Sequence, residues 1–191
     1  MPLNNSPQQI YLSYVHSDET YAKRFSELLE RKGIATTSIR DSDTNSEIEA
    51  QAESVLTHCS LVVVLVGPKT RDSRWVNLEI ALATKPRIGS PSAGLLGIIL
   101  PEHSDFGMPY YDPENIPVRL HDRVRWEYAL ARKWIDDPDA LQLWLKDAER
   151  RRRHFRPEPN YAALQELKSY SWNDNADTPR PALQNLWEQE Q

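Results

Sequence analysis

The sequence predicts a three-layer α/β fold, in which helices cover both faces of a parallel, doubly wound sheet. Three short apolar runs, Ile10–Val15, Leu61–Val66 and Gly94–Leu100, are rich in aliphatic and β-branched residues, as strands are. Stretches with helical spacing of apolar residues separate these runs. Strand and helix patterns that alternate in this way are typical of a parallel sheet, whose ligands bind beyond the carboxyl ends of the strands.

Composition and charge argue against several classes of function. The chain has 191 residues, 39% of them hydrophobic and 27% charged, which suits one globular domain with appended structure. The net charge of −5 offers no basic field for nucleic acid, and the longest apolar run is too short to span a bilayer. The N-terminus lacks a signal-peptide pattern, and the single cysteine, Cys59, excludes an intramolecular disulfide. We expect a cytoplasmic protein with no nucleic-acid or membrane partner, and a buried structural thiol.

The first strand leads into a helix. Ser17 or Asp18 is the predicted N-cap, and apolar residues recur at helical spacing between Tyr21 and Leu29. Gly33 ends the helix as a left-handed residue. The more polar segment Ile34–Ile39 is the second strand candidate.

A capping-box spacing that begins at Ser46 predicts a second helix, which ends at about Thr57. The run Leu61–Val66 shows no polar alternation, so we expect a strand buried on both faces of the sheet. Gly67 and Pro68 end it. A third helix and the strand Gly94–Leu100 follow.

Beyond Pro101 the pattern is less regular. Four prolines between residues 101 and 117 predict a long loop, Val118–Leu120 a short edge strand, and Trp126 the approximate start of another helix. Asp137 and Pro138 then start a helix as N-cap and first helical residue. We predict one domain over residues 1–135 and a helical C-terminal extension over 136–191 that packs on the same core.

The segment from Asp72 to Ala83 carries the most informative residue. Glu79 is a carboxylate within a helix that is otherwise almost wholly apolar, and Ser73 is suited to cap that helix. Trp75 lies four residues before Glu79, so the two share a face. A buried acid is costly unless it is paired or used. It is therefore either a structural carboxylate, solvated or bound to backbone, or a functional one.

Other candidate sites are weaker. The helix that begins after the first strand offers N–H groups and a positive dipole end to a phosphate or a ribose hydroxyl. Neither the dinucleotide-binding glycine pattern nor a P-loop is present, which disfavours hydride transfer. His16 is either a surface loop residue or part of a site. The five histidines and the cysteine lack ligand spacing, so we predict no metal and no cofactor.

Two charged segments each have a structural interpretation as well as a functional one. The stretch Arg40–Asp43 reads first as a turn, and a phosphoacceptor receiver domain is excluded because Val66–Pro68 supplies no acid after the third strand. The basic run Arg150–Arg156 is either a solvated helix end or a binding surface for an anion or an acidic partner.

Several segments together resemble a known family. The strands Ile10–Tyr14 and Leu61–Val66, with Ser73–Ala81 and its W-x-x-x-E spacing, resemble a TIR domain. More narrowly, four segments resemble the ThsB family, the TIR-like proteins of the Thoeris anti-phage systems: Ser13–Asp18, Val64–Thr70, Gly94–Pro101 and Ile116–Asp122. The resemblance covers about residues 9–135 and implies a flavodoxin-like sheet.

The resemblance implies an enzyme that cleaves the nicotinamide–ribose bond of NAD as its substrate and makes an ADP-ribose-derived, often cyclic, signal nucleotide. That nucleotide would activate a separate effector protein during phage infection, with a phage-derived trigger and self-association as further expectations. Glu79 corresponds to the catalytic residue, with Trp75 as its companion. The implied nucleotide-facing residues are Ser13, Tyr14, His16, Ser17 and Asp41.

Two other functions remain open at this point. A TIR adaptor would act only by assembling with partners, and Glu79 would then be inert. A nucleoside-processing transferase on a related α/β fold would also place one carboxylate against a ribosyl cation. The glutamate at W-x-x-x-E spacing favours an enzyme, because a scaffold does not require it.

Overall fold

The computed structural model describes residues 9–39, 46–85, 92–155, 157 and 170–171. The strands are β1 (Ile10–Ser13), β2 (Thr36–Thr37), β3 (Leu61–Val66), β4 (Gly94–Ile99), β5 (Tyr110–Tyr111), β6 (Ala129–Lys133) and β7 (Tyr170–Ser171). The helices are α1 (Glu19–Glu30), α2 (Ser46–His58), α3 (Arg74–Thr84), α4 (Val118–Arg125) and α5 (Pro138–His154), with 3-10 turns at His16–Asp18 and Pro113–Asn115.

Five strands form the parallel sheet that the sequence predicts, in the order β2-β1-β3-β4-β6. This is the flavodoxin-like arrangement, in which the strand order reverses between β1 and β3. Both β3 and β4 are buried along their whole length, as the unbroken apolar runs indicate. The two short strands β5 and β7 pair antiparallel outside this sheet.

Alternation along β1 sends its side chains to two separate cores. Ile10 and Leu12 pack with α1 and α5 on one face of the sheet, which we call the α1 face. Tyr11 lies in the core with α2, α3 and α4 on the other face, which we call the α3 face. Because side chains alternate along a strand, Ser13 points to the same face as Tyr11.

Two predictions after residue 117 are wrong. Val118–Leu120 is not an edge strand but the start of α4, which Pro117 precedes and whose Leu120 is fully buried on the α3 face. No helix begins at Trp126. The backbone turns at Glu127, which has a φ of 58°, and β6 follows. The segment Ala129–Lys133 contains alanines and has only a modest β-propensity of its own. It becomes a strand because it pairs with the edge of β4.

The other boundaries differ by a few residues. The second strand is only Thr36–Thr37, and the second helix ends at His58 instead of Thr57. Gly33 adopts the predicted left-handed conformation, with a φ of 70°. Cys59 is buried, as expected. Within residues 9–39, 46–85 and 92–155, no helix is long and apolar enough to cross a membrane.

The last described helix belongs to the same core. The Asp137 carboxylate caps α5 by accepting from the backbone N–H groups of Asp139 and Ala140. Three apolar residues of α5 are buried on the α1 face: Leu141, Leu145 and Ala148. Residues 158–169 and 172–191 of the predicted C-terminal extension lie outside the described part.

Acids one turn earlier pair with the basic run of α5. Arg150 lies 2.5 Å from Asp147, and both Arg152 and Arg153 contact Glu149 within 2.9 Å. Arg151 donates to the backbone carbonyl of Glu127, 2.7 Å away, at the left-handed turn. These contacts pair Arg150 to Arg153 within the protein, which neither the solvated helix end nor the binding surface suggested by the sequence includes. Arg156 lies outside the described residues.

His121 gives the fold a pH dependence. Its ring packs edge-on against Tyr111, with ring centroids 6.3 Å apart. Burial lowers the pKa of His121, an effect that the charge of Asp122 opposes and that of Arg125 reinforces. A histidine with a lowered pKa takes up its proton more readily in the unfolded chain. The free energy of unfolding therefore falls as the pH drops below about 6.5.

We predict that His121→Gln loses less stability than the wild type between about pH 7.5 and about pH 5. Urea unfolding at both pH values measures the two losses, and the difference between them removes the contribution of every other titrating group. Equal losses in the two proteins would contradict the prediction.

Candidate functional site

The glutamate of α3 occupies a defined place in the fold. The Ser73 hydroxyl accepts a hydrogen bond from the backbone N–H of Val76 at 3.2 Å, so α3 begins as predicted. Glu79 follows in the second turn and is only 1% exposed. Trp75, one turn earlier, lies in the α3-face core. The helix cap and the tryptophan therefore fix the position from which the carboxylate extends toward the sheet.

Two hydroxyl groups of β1 meet this carboxylate, one on each oxygen. The Tyr11 hydroxyl donates to Oε1 of Glu79, and the Ser13 hydroxyl donates to Oε2 at 2.5 Å. The backbone N–H of Ile39 donates to the Tyr11 oxygen at 3.2 Å. Tyr11 and Ser13 are themselves buried, with 0% and 1% exposure. The carboxylate is thus bound between α3 and β1.

Hydrogen bonds to both oxygens offset part of the cost of burying this carboxylate. Both oxygens of Glu79 accept from O–H groups, and charge-assisted bonds of this kind are short and strong. Burial, and then the charge of Glu79, raise the pKa of the Tyr11 phenol far above its usual value. The phenol therefore keeps its proton at neutral pH and remains a donor.

The location matches that of ligand sites in related folds. Ser13 is the last residue of β1, and β1 pairs with β2 on one side and with β3 on the other. Open α/β sheets with this strand order bind ligands at the carboxyl ends of the strands where the order reverses. Glu79, which Ser13 contacts, therefore lies near the edge of the sheet at which folds of this kind bind their ligands.

The structure brings some of the predicted site residues together and not others. Ser13 contacts Glu79 directly, while Tyr14 packs on the α1 face, across the sheet from it. His16 and Ser17 are exposed in the turn that follows β1. Asp41 lies outside the described residues.

Trp75 is 3% exposed and belongs to the α3-face core. Within the described part of the chain its indole Nε1 has no acceptor.

A second buried acid lies at the start of α1. Asp18 is 5% exposed, and its carboxylate accepts from the hydroxyls of Thr70, at 3.2 Å, and Ser17, at 3.3 Å. Burial raises the pKa of Asp18, and these donors offset part of the effect. The carboxylate lies so close to Gly67 that a Cβ there would collide with it. Asp18 thus joins the loops after β1 and β3, and is not the side-chain cap that the sequence suggests.

Tyr11 is the site residue that sequence reasoning missed. As a strand residue in an apolar run it reads as core, and its ring is indeed in the core. The available signal was its period-two relation to Ser13, which places both hydroxyls on one face of β1. Within the described ranges, no group of three or more histidine, cysteine, aspartate or glutamate residues is arranged to hold a metal ion.

Comparisons with known proteins agree with the architecture. Residues 10–143 match the family described as "TIR domain". No functionally curated protein matches the sequence.

Two solved structures are among those similar to this chain. The TIR domains of the activated Roq1 resistosome, which directly recognises the pathogen effector XopQ, share 15% identity at a TM-score of 0.42, over 76% of this chain and 84% of that one. Diflavin flavoprotein A3 from Nostoc sp. shares 8% identity at a TM-score of 0.37, over 50% of this chain and 60% of that one.

Proposed function

Because the chain belongs to the TIR domain family, we propose that it is an enzyme that cleaves the bond between nicotinamide and ribose in NAD. The observation that carries this proposal is the Glu79 carboxylate, which has a hydroxyl donor from β1 on each oxygen at the ligand edge of the sheet. A carboxylate with a fixed orientation is suited to a reaction that develops positive charge on a sugar.

One carboxylate is enough for this chemistry. Nicotinamide leaves its pyridinium form as a neutral molecule, so its departure needs no general acid. The ribosyl cation that remains is similar to the oxocarbenium-like transition state of glycoside hydrolysis, which a carboxylate stabilises. Glu79 would face this cation or hold the ribose hydroxyls. Water then adds to the ribose carbon and releases a proton to solvent, which gives ADP-ribose.

The product that we propose is a signal nucleotide. If a group of the adenosine part of the substrate attacks the ribose carbon in place of water, the product is a cyclic ADP-ribose isomer, and a site that excludes water favours this outcome. The resemblance to the ThsB family supports a role in anti-phage defence, in which the nucleotide diffuses to a separate effector protein. A phage-derived trigger and self-association of the chain belong to the same proposal.

Turnover of NAD by the purified chain tests the proposal. The chain is incubated with NAD and, separately, with nucleosides, each alone and with extract from phage-infected cells, and the released base and the nucleotide product are identified by mass spectrometry. A cyclic product is lighter than ADP-ribose by one water. Cleavage of nucleosides without cleavage of NAD would support the transferase instead. No cleavage of either, together with no NAD binding, would refute both enzymes.

The adaptor function keeps one observation in its favour. Both oxygens of Glu79 are already bound by protein hydroxyls and the side chain is almost fully buried, as a purely structural acid would be. An adaptor would self-associate with increasing concentration without consuming NAD. Because the proposed enzyme also self-associates, NAD consumption by the assembled chain separates the two functions, and light scattering at several concentrations shows whether the chain has assembled.

A further inference from the structure

The phenol of Tyr11 joins two parts of the chain that are distant in sequence. Its oxygen donates to Glu79, 68 residues away, and accepts from the backbone N–H of Ile39, 28 residues away. Ile39 is the last described residue before the connection of residues 40–45. A single buried oxygen therefore connects the carboxylate of α3 to the chain just after β2.

Packing alone does not require this hydroxyl. The Tyr11 ring is 0% exposed in the α3-face core, where a phenylalanine ring would fill nearly the same volume. A buried hydroxyl is costly without partners, and here it has both a donor and an acceptor. The hydroxyl therefore contributes the hydrogen bond to the Glu79 carboxylate, which a phenylalanine could not make.

The two donors to Glu79 are anchored differently. The Tyr11 ring is fixed in the α3-face core, and its oxygen also accepts from the backbone N–H of Ile39, so a second contact holds the donor to Oε1 in place. Ser13 is the last residue of β1, at the carboxyl edge of the sheet, and its short hydroxyl turns about a single side-chain bond. A substrate hydroxyl would therefore replace Ser13 on Oε2 more readily than it would replace Tyr11 on Oε1.

We propose that Tyr11 is the positioning residue of Glu79: it fixes Oε1, so that Oε2 is the oxygen that meets the ribose. The Ile39 N–H polarises the phenol and strengthens it as a donor. The kinetic consequence rests on the proposed NAD cleavage, whereas the contact between Tyr11 and Glu79 does not.

Kinetics of Tyr11→Phe provide the first test. We expect kcat for NAD cleavage to fall about 10- to 100-fold with KM nearly unchanged, since a bond to a charged group is lost and the ring remains. The acid limb of the pH–activity profile should move to higher pH, because the lost donor stabilises only the ionised carboxylate.

Tyr128→Phe is the matched control. Tyr128 is also 0% exposed, and its hydroxyl donates to the backbone carbonyl of Ala93 at 2.6 Å. The Tyr128→Phe variant should lose about as much thermal stability as Tyr11→Phe, while its pH–activity profile stays that of the wild type. If Tyr11→Phe changes stability alone, as this control does, the positioning role is refuted.

A second measurement does not need activity. Carboxyl ¹³C NMR of glutamate-labelled protein follows the titration of Glu79, whose signal is assigned by its absence in Glu79→Gln. We expect its midpoint to move to higher pH in Tyr11→Phe and not in Tyr128→Phe. A fluorinated tyrosine at position 11 keeps the hydroxyl and makes it a stronger donor, so it should move the midpoint to lower pH even if the phenylalanine variant does not fold.

The outcomes distinguish this inference from the proposed function. If the wild type does not cleave NAD but the titration moves as expected, Tyr11 still positions Glu79 and the proposed reaction fails. If NAD is cleaved but neither Tyr11→Phe nor the fluorinated tyrosine at position 11 moves the titration midpoint of Glu79, the reaction stands and the positioning role of Tyr11 is overturned.

Discussion

Glu79→Gln should fold like the wild type and cleave NAD about 100- to 1,000-fold more slowly, the usual loss when one preorganised electrostatic group is removed from a site. Glutamine has the size of glutamate but no charge to stabilise a ribosyl cation. Nicotinamide release at saturating NAD measures the loss directly. The KM should change little, because the carboxylate acts mainly in the transition state.

The variant is expected to fold because its neighbours can adapt. A hydroxyl both donates and accepts, so Ser13 can rotate to accept from the new amide while Tyr11 continues to donate to the amide oxygen. Circular dichroism and thermal unfolding verify the fold.

Glu102→Gln is the matched control for the loss of charge. Glu102 also accepts from a tyrosine hydroxyl, that of Tyr21 at 2.6 Å, but the pair is exposed. This variant should keep full activity. Wild-type activity in Glu79→Gln would show that the carboxylate has no part in the reaction, and that other groups of the chain carry it.

The sheet was predictable from the sequence where one signal dominates. The run Leu61–Val66 is apolar at every position, and the structure buries every one of its residues in the middle of the sheet. The strand Ala129–Lys133 was missed because its local pattern is weak and the edge of β4 makes it a strand. Pairing between residues 34 apart in the sequence is not visible in a local pattern.

The candidate site was likewise predictable from the sequence only in part. An acid on an apolar helix identified Glu79, because an isolated carboxylate at such a position is costly. Its partners, Ser13 and Tyr11, are 66 and 68 residues away in the sequence. They contact Glu79 only because α3 packs on the face of the sheet to which both side chains of β1 point. Ser13 was selected through the family resemblance and Tyr11 was not, although the same strand face presents both.

Two glycines of β4 lead to the second prediction with a large expected effect. A glycine inside a buried strand usually marks the close approach of another part of the structure. A Cβ at Gly94 would lie 2.5 Å from the Leu61 side chain and 2.8 Å from the backbone carbonyl oxygen of Ala148 in α5. A Cβ at Gly97 would meet only the end of the Leu120 side chain, at 2.7 Å. Backbone of a packed helix yields less readily than the end of a leucine side chain.

We therefore expect Gly94→Ala to destabilise the protein by about 3 kcal/mol and Gly97→Ala by about 1 kcal/mol, the upper and lower ends of the usual cost of overpacking. Gly107→Ala is the control. A Cβ at Gly107 meets nothing within 4 Å, so its effect should stay within about 0.5 kcal/mol. Urea unfolding of the three variants measures the differences.

The order of the three values is the informative result. If α5 lies with its backbone against the start of β4, Gly94→Ala has to be the least stable, because the helix itself must move away from the sheet. Equal stability of Gly94→Ala and Gly107→Ala would mean that α5 does not approach β4 in this way. Activity should survive at temperatures where the variants remain folded, since Gly94 and α5 lie on the α1 side of the sheet and Glu79 on the other.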